Sequence, residues 1–145
     1  MRRAFLRMGR TLSPAGLVAG TLFFAVSLTP SLLPRGYALQ GVLSGCCFSA
    51  GYLAGVLATG LWRYLELPDL PARAARWTLY VSGALCGLVA AVFLWRASGW
   101  QNSIRDLMGL PPVETARPLE VGGLALLIFA AGLILARLIG LTMRW

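Results

Sequence analysis

The side chains that most often carry catalysis are scarce in this sequence. His and Lys are both absent, so neither a Ser-His-Asp arrangement nor a lysine-bearing phosphate loop can form. No serine lies in a G-x-S-x-G pattern, which exposes a nucleophilic serine on a sharp turn. The three cysteines, Cys46, Cys47 and Cys86, show no C-x-x-C or Cys/His spacing. We therefore predict that this chain is not an enzyme and holds no cofactor and no metal.

The elements that would position any site are apolar and long. Hydrophobic residues make up 58% of the 145 residues and charged residues 12%, whereas soluble domains average about 25% charged. Four stretches approach the roughly 20 apolar residues that cross a bilayer, at 14–33, 39–62, 77–94 and 119–139. They are apolar on all sides, which favours helices over a β-barrel. The sequence predicts an all-α polytopic membrane protein, one domain over 1–145 with four transmembrane helices.

A shorter amphipathic segment lies between the third and fourth spans. Trp100, Ile104, Leu107 and Met108 fall at i, i+4, i+7 and i+8, which is one helical face. The pattern predicts a short helix over residues 100–110. It would either lie in the outer membrane interface or pack on the end of the bundle.

Charge placement predicts the topology. All 13 basic residues are arginine, and nine of them flank the side that holds both termini. Positive residues concentrate in cytoplasmic segments, so we predict that both termini lie in the cytoplasm. We predict a protein of the bacterial inner membrane. Its partner is then the lipid bilayer and not nucleic acid. An alternative is that Arg2-Arg3 begins a twin-arginine export signal cleaved near Ala25-Val26-Ser27, which would leave three spans.

No carboxylate lies inside a predicted span. Proton relays and ion-coupled transporters usually need such a group, so a pump is disfavoured, while a pore for a neutral solute stays open. The five acidic residues all stand at or outside the span boundaries: Glu66, Asp69, Asp106, Glu114 and Glu120.

Small residues at four-residue spacing predict the helix contacts. Such spacing lets two helix backbones approach closely, and two stripes on the second span suit a central helix packed on two neighbours. Packing within one chain is favoured over a dimer face. The predicted packing residues are Gly41, Gly45, Ser49, Gly51, Gly55, Gly83 and Gly87.

The connector after the first span carries two prolines and three hydroxyls at the predicted outer edge. The structural interpretation is that the hydroxyls satisfy backbone groups that proline leaves unpaired. The functional interpretation is a small outer-face site. Its candidate residues are Thr29, Pro30, Ser31, Pro34, Arg35, Gln40, Trp100 and Arg105.

Several pieces of the chain resemble a known family. They read SLTPSLLPRGYALQGVLSG, GYLAGVL, LWRYLELP and GWQNSIRDLMGL, between about Ser27 and Leu110. Together they look like the N-terminal membrane domain of a bacterial family of predicted α/β-hydrolases. In that family a hydrolase-like domain with a serine nucleophile follows the membrane domain. This sequence has no matching nucleophile, so the resemblance transfers no catalytic residue.

Two functional hypotheses follow. The first is a non-catalytic membrane module that anchors or positions an α/β-hydrolase-like domain or partner, as the resemblance implies. The second is a small stand-alone membrane protein that handles lipid or a small solute at its outer face. The oligomeric state is left open by the sequence.

Overall fold

A computed structural model describes residues 12–29, 36–68, 71–109, 111 and 117–142. These residues form four α-helices and no strand, which confirms the predicted all-α class. In chain order the helices are α1, Pro14–Ser27; α2, Tyr37–Tyr64; α3, Ala72–Leu107; and α4, Pro118–Thr142. Three of them, α2, α3 and α4, are long and apolar enough to cross a membrane.

The first helix is shorter than its predicted span of 14–33. It begins at Pro14 after Ser13, whose Oγ accepts a hydrogen bond from the amide of Gly16 at 3.3 Å. It ends at Ser27 after 14 residues, or about 21 Å, which is less than the roughly 30 Å of a hydrocarbon core. Residues 30–33 of that span lie outside the described residues.

The third helix is longer than its predicted span of 77–94. It runs unbroken for 36 residues, about 54 Å, because no proline interrupts residues 72–107 and its three isolated glycines, Gly83, Gly87 and Gly99, are each tolerated in a helix. The segment predicted as a separate short helix over 100–110 is therefore helical to Leu107 as the last turns of α3. Gly109, at φ +66°, supplies the left-handed residue that follows many helix ends.

The four helices alternate in direction along one bundle. Gly16 lies near Tyr52 and Gly20 near Phe48, so α1 and α2 are antiparallel. α2 contacts α1 and α4, and α3 closes the bundle by contacting the same two helices. We call the end where α2 and α4 begin the Tyr37 end, and the opposite end the Pro14 end. The Tyr37 end corresponds to the predicted outer face.

The buried core lies toward the Tyr37 end. Its five residues come from three helices, and α1, α3 and α4 therefore converge there: Phe24, Leu28, Ala97, Val121 and Ala125. Outside this core the surface is apolar, with Leu88 62% exposed and Leu126 69% exposed. Contiguous exposed apolar surface is rare on soluble proteins but matches hydrocarbon, which the long apolar helices also suit.

Candidate functional site

The small residues in the first half of α2 lie against α4. A Cβ added at Gly41 would lie 2.9 Å from Leu124 Cβ, and one added at Gly45 would lie 2.7 Å from Ile128 Cβ. Ser49 continues the row, because a Cβ added at Gly132 of α4 would lie 3.8 Å from Ser49 Oγ. These distances leave no room for a larger side chain at Gly41 or Gly45. The residue numbers of the contacting pairs increase along both helices, so α2 and α4 are parallel.

The small residues in the second half of α2 lie against α1 instead. A Cβ at Gly51 would lie 2.9 Å from Gly20 Cα, and one at Gly55 would lie 2.7 Å from Gly16 Cα. The glycine pairs of the two helices thus face each other, and the two backbones are in direct contact. α2 consequently packs on two neighbours through two separate stripes.

Two of the predicted packing residues have no such contact. At Gly83 and Gly87 an added Cβ would find no neighbouring atom within 4 Å. Their four-residue spacing matches that of the packed pairs, so the spacing alone does not identify a close helix contact. The structure therefore gives Gly83 and Gly87 no packing role among the described residues.

Aromatic rings fill the space between α1, α2 and α4. Phe48 packs edge-to-face on Phe129, with ring centroids 4.6 Å apart, and on Phe24 at 6.4 Å. Tyr52 packs on the same Phe129 ring at 5.1 Å. Its hydroxyl also accepts a hydrogen bond from the amide of Ser13 at 3.1 Å, so one side chain joins the start of α1 to α4. Such ring pairs contribute about 0.5–1.5 kcal/mol each beyond the burial of their area.

A buried polar network joins the end of α1 to the start of α2. Gln40 Nε2 donates to the backbone oxygen of Ser27 at 2.8 Å and to Ser44 Oγ at 3.1 Å. Ser44 Oγ lies 2.8 Å from Ser27 Oγ, which in turn donates to Phe24 O at 2.7 Å. Each hydroxyl has one proton, so the consistent donor chain runs Gln40, Ser44, Ser27, Phe24 O. The network gives the Ser27 carbonyl at the end of α1 a partner, whereas Phe24 O also accepts from the amide of Leu28 at 3.3 Å.

This network changes the interpretation of Gln40. As a member of an outer-face site Gln40 was expected to be accessible, but it is buried, and Ser44 is fully buried at 0% exposure. The Gln40 amide nitrogen donates to Ser27 of α1 and to Ser44 of its own helix. Sequence reasoning missed Ser27 and Ser44 as its partners, and only the four-residue spacing of Gln40 and Ser44 pointed to that pair.

Three of the remaining members of the predicted outer-face site lie among the described residues. Thr29 is exposed, and its hydroxyl donates to Val26 O at 2.6 Å. Trp100 is half-buried, edge-to-face on Phe93 at 5.5 Å, and Arg105 Nε donates to Pro111 O at 2.9 Å. Each of these three side chains thus has a local partner. The other four predicted members lie outside the described residues: Pro30, Ser31, Pro34 and Arg35.

An arginine that sequence reasoning did not single out links α2 and α4 at the Tyr37 end. The Arg117 guanidinium lies 4.9 Å from the centroid of the Tyr37 ring, and its Nη1 is 3.3 Å from a carboxylate oxygen of Glu120. Both charged side chains are about half exposed, so the ion pair is worth at most about 1 kcal/mol. The cation–π contact places the starts of the two parallel helices side by side.

The described part of the chain offers packing and no reactive cluster. It contains no group of three His, Cys, Asp or Glu residues that could hold a metal ion. The three cysteines are unpaired thiols on α2 and α3. The contacts that the described residues do make are contacts between packed helices.

Comparison with known proteins identifies the family of the chain. A model of the alpha/beta-hydrolase family N-terminus matches residues 28–145, which is most of the chain. The chain belongs to the alpha/beta-hydrolase family N-terminus. The match is to the N-terminal region of this hydrolase family, and no hydrolase domain matches within the chain. No curated protein and no solved structure shows a significant match.

Proposed function

We propose that this chain is a non-catalytic membrane domain that anchors and positions an α/β-hydrolase-like domain at a bacterial inner membrane. The observation that carries the proposal is the match of the N-terminal family model to residues 28–145. The matched N-terminal region has no nucleophile motif of its own. Its role in our proposal is to hold the catalytic domain at the membrane.

The surface of the bundle supports the membrane part of the proposal. α4 exposes large aliphatic side chains along its whole length, among them Leu119, Leu127, Leu135 and Leu141, each more than half exposed. Water would not cover such a surface favourably, whereas lipid tails would. The interior contacts also fit a bilayer, because close glycine packing and interhelical hydrogen bonds are what join helices there.

The alternating helix directions support a topology with both termini in the cytoplasm. Since α1 and α3 begin at the Pro14 end, that end receives the arginine-rich N-terminal segment and the α2–α3 connection. Positive-inside placement then assigns the Pro14 end to the cytoplasm and the Tyr37 end to the outer face. A hydrolase domain that follows α4 would be cytoplasmic.

Two measurements test this proposal. The tagged chain, expressed in a bacterium, should remain in the membrane pellet after carbonate extraction. Purified in detergent from its native host, it should carry a polypeptide or a continuous downstream domain that reacts with a serine-hydrolase probe. Mass spectrometry should identify in that species a G-x-S-x-G motif, which this sequence lacks.

The control is the tagged 145-residue chain expressed by itself in a different bacterium. It contains no serine in a G-x-S-x-G motif, so the probe should not label it. Complete release by carbonate would contradict membrane anchoring. The chain could instead stay in the membrane while no hydrolase is bound to it or encoded downstream of it. That result would contradict the positioning role but not the membrane anchoring.

A further inference from the structure

We draw no further inference here: the strongest candidate, the open apolar groove beside α1 at the Pro14 end, lined by Val18, Ala58 and Ser82 among others, carries nothing, because no described residue shows what covers it.

Discussion

Gly55 and Gly87 lie in pairs of identical spacing but in opposite surroundings, and a single methyl group at each should have opposite effects. In Gly55→Ala the new Cβ would lie 2.7 Å from Gly16 Cα on α1, whereas carbon atoms in contact lie about 3.5–4.0 Å apart. α1 would have to move away by about 1 Å. In Gly87→Ala the new methyl group meets open space.

The magnitude follows from comparing the two variants. Replacing glycine by alanine within a helix favours the helix by about 1 kcal/mol in either position, so this contribution cancels in the difference. What remains is the overpacking cost at Gly55, typically 1–3 kcal/mol. We expect about 3 kcal/mol, because the obstruction is backbone and no side chain can rotate away.

Unfolding by SDS in mixed micelles, followed by tryptophan fluorescence, measures this difference. The Gly55→Ala midpoint should fall below wild type, and the Gly87→Ala midpoint should match or exceed it. Equal midpoints for the two variants would refute the assigned contact between α1 and α2. A lowered midpoint for Gly87→Ala alone would indicate a close contact at Gly87, where the structure leaves open space.

Further predictions concern the polar network, the aromatic cluster and the topology. Ser44→Ala should destabilise the bundle by about 1 kcal/mol, since interhelical hydrogen bonds in membranes are worth about 0.6–1.7 kcal/mol. Ser103→Ala, at an exposed position of α3, should have no effect in the same SDS titration. Phe129→Ala removes two edge-to-face ring contacts and should cost about 2 kcal/mol or more, against almost nothing for Leu126→Ala, which is 69% exposed. An alkaline phosphatase fusion after Arg105 should be active outside the cytoplasm, and a stable but inactive fusion would reverse the proposed topology.

Much of the architecture could be predicted from the sequence because it depends on composition. The lengths of the apolar stretches predicted helices near every observed one, and uniform apolarity excluded alternating strands. The residues at which the helices end could not be predicted from composition. α1 ends at Ser27, where Gln40 and Ser44 bind the last turn, and those partners come from the next helix.

The packing residues show the same division. Gly51, Gly55, Gly83 and Gly87 have the same type and spacing, so no local pattern distinguishes the first pair from the second. Only the first pair faces α1 at backbone contact. Likewise, the sequence placed Gln40 with other polar residues at an edge, whereas the fold buries its amide against Ser27 and Ser44.

The sequence by itself determined that residues 1–145 contain no histidine and no G-x-S-x-G motif, include long apolar stretches and carry their charge asymmetrically, because each of these depends only on which residues occur and in what order. Tertiary structure alone decided which glycines touch, that the polar residues at the α1–α2 junction satisfy each other, and that a groove opens beside α1. These features depend on contacts between residues that are far apart in the sequence, and such contacts form only when the chain is folded.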